Sequence, residues 1–163
     1  MILILMGVSG SGKTTIGTLL ASRLECTFAD ADDYHPAANR QKMHNGVPLN
    51  DDDRAPWLAA LNQLMLGWQR NGKSGILACS ALKEKYRHML LGGLPEGAVH
   101  FIFLDGSRDL IAERLQARQH EFMSPTLLDS QFATLEPPQN AIRVSIDQPE
   151  EAVVDTILAK LQQ

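Results

Sequence analysis

An unbroken apolar run, Ile2-Leu3-Ile4-Leu5-Met6, leads straight into Gly7-Val8-Ser9-Gly10-Ser11-Gly12-Lys13-Thr14, and a helical pattern follows from about Thr14. In that pattern Ile16, Leu19, Leu20 and Leu24 share one face. The run before the loop reads as a buried strand. The eight loop residues satisfy G-x-x-x-x-G-K-[ST] in full, with the strand and helix on the required sides. Glycines permit a tight turn whose backbone N–H groups point inward, and the start of the helix adds about half a positive charge at the same place. Gly7, Val8, Ser9, Gly10, Ser11, Gly12, Lys13 and Thr14 are therefore expected to hold a nucleoside triphosphate. Lys13 would bridge the outer phosphates, and the Thr14 hydroxyl would ligate Mg²⁺. The motif says what is bound, not what is done with it.

The rest of the chain repeats the alternation of short apolar runs and helical patterns. Strands are expected near Thr27 to Ala29, Gly75 to Cys79, Val99 to Leu104 and Ile142 to Ile146. Helices are expected over Pro36 to Asn45, after Asp53 with Pro56 in the first turn, over Lys83 to Leu91, from Ser107 to about Gln119, and over Thr126 to Leu135. A last helix is expected after Asp147, which has Glu150 three places on in capping-box register. Trp57, Trp68 and the methionines fall at apolar helical positions and read as core. Five buried strands separated by helices predict an α/β fold with a five-stranded parallel sheet and helices on both faces.

Length and composition agree with one domain. The 163 residues match a single unit, and 44% hydrophobic content supplies its core. Fifteen basic and nineteen acidic side chains leave a formal charge of −4, which offers no footprint for nucleic acid. The first apolar run is too short for a signal peptide or membrane span. Cys26 and Cys79 form no C-x-x-C, so a reduced cytoplasmic setting is expected.

A parallel sheet delivers every strand's C-terminus to one edge, where ligands bind. On this sequence that edge collects the glycine-rich loop, Asp30 to Asp33, Ser80 with Lys83, Asp105 and Asp147. Phosphoryl transfer to an alcohol needs one group to aim the hydroxyl and accept its proton, and another to support hydrated Mg²⁺. Asp32 and Asp30 suit those two tasks. Asp105 ends a strand with the local form of a Walker B element and competes with Asp30 for the second. No N-K-x-D segment is present, which argues against a guanine-nucleotide switch.

The stretch Asp30-Ala31-Asp32-Asp33-Tyr34-His35-Pro36-Ala37-Ala38-Asn39-Arg40-Gln41-Lys42-Met43 is distinctive. So are Pro48-Leu49-Asn50-Asp51-Asp52-Asp53-Arg54 and Cys79-Ser80-Ala81-Leu82-Lys83. With the loop, these segments resemble bacterial gluconokinases, small P-loop kinases related in fold to shikimate kinase, over nearly the whole chain. The resemblance implies ATP-dependent phosphorylation of D-gluconate to 6-phospho-D-gluconate by a cytoplasmic homodimer, and it favours Asp30 for the metal. By analogy with shikimate-type kinases, Arg54 is expected to bind the substrate carboxylate rather than only pair with Asp51 or Asp53. His35, Ser80 and Lys83 are further substrate candidates, with Lys83 able to meet substrate or phosphate. Arg87, one turn beyond Lys83, could equally be solvated. The fold analogy also implies a small lid around residues 119–124, with at least one of Arg114 and Arg118 closing over the phosphates to neutralise their charge. The family's histidine near that lid is displaced here to His120, so no role is assigned to it.

Overall fold

Five residues without a polar side chain, Ile2–Met6, form strand β1, and every one of them is buried. The computed structural model describes residues 1–117 and 125–163. After β1 come α1 (Lys13–Leu24), β2 (Thr27–Asp30), α2 (Ala37–His44), α3 (Asp51–Arg70), β3 (Gly75–Ala78) and α4 (Glu84–Leu90). The second half holds β4 (Val99–Asp105), α5 (Arg108–Ala117), α6 (Pro125–Thr134), β5 (Ile142–Ser145) and α7 (Glu150–Leu161). The sheet order is β2-β3-β1-β4-β5 and every neighbouring pair is parallel. This is the expected five-stranded parallel sheet.

Side-chain alternation along β1 divides the core in two. Leu3 and Leu5 pack with Ile16 and Leu20 of α1 and Val154 and Ile157 of α7. Ile2, Ile4 and Met6 pack on the opposite face with Trp57, Leu61, Met65 and Trp68 of α3. Because β1 lies between β3 and β4 and is covered on both faces, its five positions must all be apolar. That requirement explains why its sequence shows no alternation.

Two helix starts, those of α3 and α7, differ from the sequence expectation. Helix α3 begins at Asp51, before the expected Asp53, because Asn50 caps it: the Asp53 N–H donates to Asn50 Oδ1 (2.8 Å) and the Asn50 N–H donates to Asp53 Oδ2 (3.0 Å). Pro56 consequently lies inside the helix rather than in its first turn. Helix α7 starts at Glu150 behind Pro149, so the expected Asp147–Glu150 capping box does not form. Asp147 instead donates its N–H to Ser145 Oγ (3.2 Å). Among the methionines, Met6 and Met65 are core, whereas Met43 and Met89 are exposed. A short 3-10 turn at Ala31–Tyr34, unmarked by periodicity, carries β2 into the acidic run.

Gly75 opens β3 under the Trp68 indole. A Cβ there would sit 2.4 Å from Trp68 Cε3, well inside contact distance. Gly75→Ala is expected to destabilise the fold by about 1–3 kcal/mol through overpacking. The readout is a lower urea midpoint at an unchanged m-value.

Candidate active site

The chain leaves the buried end of β1 and enters α1 within six residues, and left-handed backbone makes this possible. Gly7, at φ 151°, could not carry a Cβ, which would lie 2.8 Å from Ser11 Oγ and 2.9 Å from the Leu104 carbonyl. Gly10, at φ 83°, is closed in the same way by Leu115. The loop thus turns on glycine and delivers the first N–H groups of α1 to the C-terminal edge of the sheet. The half-buried Lys13 folds back over it, its Nζ donating to the carbonyls of Gly7 (2.9 Å) and Val8 (3.1 Å). Burial pushes this ammonium below its ordinary pKa, while the thiol of Cys79 and the carboxylates of Asp32 and Asp30 pull it back up.

The acidic turn is tied directly to the loop. Thr14 Oγ1 donates to Asp30 Oδ2 (2.8 Å), and the Asp32 N–H donates to Asp30 Oδ1 (3.0 Å). A hydroxyl and a carboxylate oxygen side by side make a hard-oxygen donor set, which fits Mg²⁺. Asp105 is engaged elsewhere, accepting from Arg143 Nε (2.7 Å) on the neighbouring strand. Of the two rivals for the metal, only Asp30 shares a hydrogen bond with Thr14. Asp32 opens onto solvent, but the protein crowded around it raises its pKa, and Asp30 raises it further.

The turn carrying Asp32 is clamped from below. Trp57 Nε1 donates to the Ala31 carbonyl (2.7 Å), and the Trp57 ring stacks on His35 at 4.3 Å and 12°. The amide of Asn39 holds His35 Nδ1 at 3.3 Å and donates to the Asp53 carbonyl (2.8 Å). Burial lowers the His35 pKa; Asp32 opposes this, and Arg40 and Arg54 reinforce it. His35 therefore feels both the aspartate turn and the guanidinium of Arg54, which belongs to a cationic cluster.

That cluster surrounds Tyr86. Arg54, Lys83 and Lys85 place their charges 5.4, 5.7 and 5.8 Å from the centre of its ring. Arg54 Nη1 donates to the Tyr86 hydroxyl (3.2 Å), which donates in turn to Asp51 Oδ1 (2.6 Å). Asp51 also pairs with Lys85 and lies 4.0 Å from Arg54, while Asp53 pairs with Lys42 at 2.9 Å. Hydrogen bonds from Lys85 and Tyr86 hold the Asp51 carboxyl at about 2, and burial pushes the Tyr86 hydroxyl to about 12. Three cations against one carboxylate leave an excess of positive charge. Ser80, three residues before Lys83 of the cluster, meets the phosphate loop: its carbonyl accepts from the Gly7 N–H (3.3 Å).

On the far side of the loop a cavity of about 350 Å³ is lined by Ser11, Gly12, Ile16, Arg114, Gln148 and Pro149, among others. Arg114 donates to the Ile146 carbonyl and forms part of this wall. Arg118, His120 and the expected lid at 119–124 lie outside the described residues.

The chain matches the family model for shikimate kinase over residues 9–162. It is 46% identical to the thermoresistant gluconokinase of Escherichia coli (strain K12), over 94% of this chain and 89% of that one. A crystal structure of a gluconokinase from Sinorhizobium meliloti superposes with a TM-score of 0.88 at 39% identity, covering 98% of this chain and 90% of the other. An unliganded sugar kinase from Janibacter sp. gives 0.90 at 41% identity, over 99% and 94%. The chain belongs to the gluconokinase family of shikimate-kinase-like P-loop kinases, and it is a phosphotransferase.

Within this family member, sequence reasoning missed three groups. Gln148 and Pro149 follow the last strand and so reach the ligand edge, but the sequence marks their position only as the approach to a helix. Tyr86 lies in a helical pattern with no motif around it, and Gln131 of α6 carries no local signal. Arg87 is neither solvated nor turned toward ligand. It is buried, and its guanidinium donates to the carbonyls of Ala81 (2.7 Å), Leu82 (3.3 Å) and Glu136 (2.8 Å). Cys79 is buried beside the loop, and burial pushes its thiol up to about 12.

Arg87→Met keeps side-chain bulk but leaves those carbonyls without donors. It is expected to lower stability by about 1–3 kcal/mol. Thermal unfolding of the purified variant against the parent checks this.

Proposed function

We propose that this protein transfers the γ-phosphoryl group of ATP to the terminal hydroxyl of D-gluconate, yielding ADP and 6-phospho-D-gluconate. The observation that carries this reading is the pairing of acidic and basic groups near the phosphate loop. Asp30 and Asp32 stand beside the loop, Arg54, Lys83 and Lys85 gather around Tyr86, and His35 responds to both Asp32 and Arg54. An acceptor with an alcohol at one end and a carboxylate at the other matches that arrangement, and a sugar acid is such a molecule. The gluconokinase relatives support the same assignment.

Each residue then has a task. The N–H groups of Gly10, Gly12, Lys13 and Thr14, with the Lys13 ammonium, bind the polyphosphate, while the N–H groups of Gly7, Ser9 and Ser11 are spent within the protein, and the cavity beside Ser11 and Pro149 receives the nucleoside. Thr14 and Asp30 would hold Mg²⁺, which when bound neutralises phosphate charge. Asp32 aims the acceptor hydroxyl and takes its proton. The planar fork of Arg54, oriented by Tyr86 and Asp51, grips the carboxylate. His35, Ser80 and Lys83 line the acceptor's path, and Arg114 braces the nucleoside wall. Because phosphoryl transfer runs through a loose transition state, positioning and charge neutralisation matter more than proton removal. A homodimer in the cytoplasm completes the reading, on the family likeness alone, with the whole chain acting as one kinase unit.

Side-by-side assays of ADP release with gluconate, shikimate and AMP test the acceptor. Turnover is expected with gluconate, and comparable rates with shikimate or AMP would overturn the assignment. Lys13→Ala and Asp32→Asn should each reduce kcat by roughly 100-fold or more. Arg54→Ala should raise the KM for gluconate by about tenfold, the loss of one charge-assisted contact, with little change in the KM for ATP. An unchanged gluconate KM would remove Arg54 from the site.

A further inference from the structure

The phosphate loop is built from glycines at its critical turns, so its backbone is intrinsically free to wander and must be held to bind tightly. Two side chains from the described residues hold its first half. One is Lys13, already part of the site. The other is Gln131, 122 positions away on α6, whose Oε1 accepts from the Ser9 N–H (2.7 Å) while its Nε2 donates to Ser9 Oγ (3.0 Å). Both ends of one amide are thus spent on one residue, which lies between the left-handed Gly7 and Gly10. A fixed amide at the crest prevents the loop from rotating its N–H groups away from the polyphosphate.

Helix α6 is itself anchored for this purpose. Asp129 accepts from Arg108 Nε of α5 (2.6 Å). Just beyond the helix, the Glu136 N–H donates to the Leu82 carbonyl (2.8 Å), and Glu136 Oε1 accepts from the Glu84 N–H (2.7 Å). The Glu136 carbonyl takes a further bond from the buried Arg87 (2.8 Å). The segment from 129 to 136 is therefore a strut, with one end on the acceptor-side loop before α4 and Gln131 resting on the phosphate loop.

We propose that Gln131 is a positioning residue for phosphoryl transfer, which presets the phosphate loop for ATP by clamping Ser9 through both ends of its amide. The proposal rests on residues 7–14 being the ATP site, and the experiment separates the two claims.

The binding of ATP with Mg²⁺ is measured by calorimetry without acceptor, for the parent, Gln131→Met and Gln131→Glu, alongside thermal unfolding and the KM for gluconate. Failure of the parent itself to bind ATP would dispose of the nucleotide site, whatever Gln131 does. With the parent binding, Gln131→Met, which loses both bonds at similar size, should raise the Kd for ATP by about five- to tenfold and leave the gluconate KM within about twofold. Gln131→Glu can accept from both the Ser9 N–H and the Ser9 hydroxyl, so it should unfold at the parent's temperature. Its charge, set against an incoming polyphosphate, should nevertheless weaken ATP binding, and added salt should relieve that loss. A purely structural contact gives the opposite pattern: Gln131→Met lowers the unfolding temperature with ATP binding unchanged. A Kd for ATP within about twofold of the parent's in folded Gln131→Met overturns the proposal.

Discussion

Parallel pairing of β1 with both β3 and β4 is the constraint on which everything else in this protein depends. A strand covered on two faces and paired on two edges has no freedom of direction, so its C-terminal end fixes where the following loop must lie. The ends of β2 and β3 are then brought to the same edge by register, Asp30 opposite Ala78 and Leu5 opposite Ala78. Register alone therefore makes neighbours of the loop, the acidic turn and the Ser80 segment. The hydrogen bond from Thr14 to Asp30 is a consequence of that placement, as is the bond from Gly7 to Ser80.

Around this edge the protein separates charge. Backbone N–H groups and Lys13 make one positive region, Asp30 and Asp32 a negative one beside it, and the cations around Tyr86 a second positive region. Such an arrangement does not assemble by electrostatics alone, because desolvating charged groups opposes it. Here buried groups with satisfied partners supply the framework. The Trp57 indole supports the aspartate turn, the Tyr86 ring supports the cations, and Arg87 stays inside with carbonyl partners rather than joining the site. The segment from Asp129 to Glu136 adds a tie between the loop after β1 and the loop before α4 that neither could supply locally.

Much of this was legible in one dimension. Strand β1, the phosphate loop and α1 follow from an apolar run, glycines at fixed spacing and a 3.6-residue period, all short-range properties. The core positions of Trp57, Trp68 and Met65 on α3 follow from the same period, and Leu58 and Leu61 join them. The errors cluster at ends. Asn50 moved the start of α3, and Pro149 displaced the start of α7, because a cap is chosen by whichever residue the incoming chain direction lets reach the first N–H groups.

The sequence by itself determined the α/β class, the identity of the phosphate loop and the presence of carboxylates and cations at strand ends. Backbone sterics and hydrophobic periodicity act within a few residues and can be read there. Tertiary structure decided the partners. Asp30 rather than Asp105 meets Thr14, Arg54 leans on Tyr86, Arg87 is buried, and Gln131 reaches Ser9. Each of those pairings depends on the strand order β2-β3-β1-β4-β5 and on how far helices lie over the sheet, and no local stretch of sequence encodes a distance between segments that meet only after the sheet has closed.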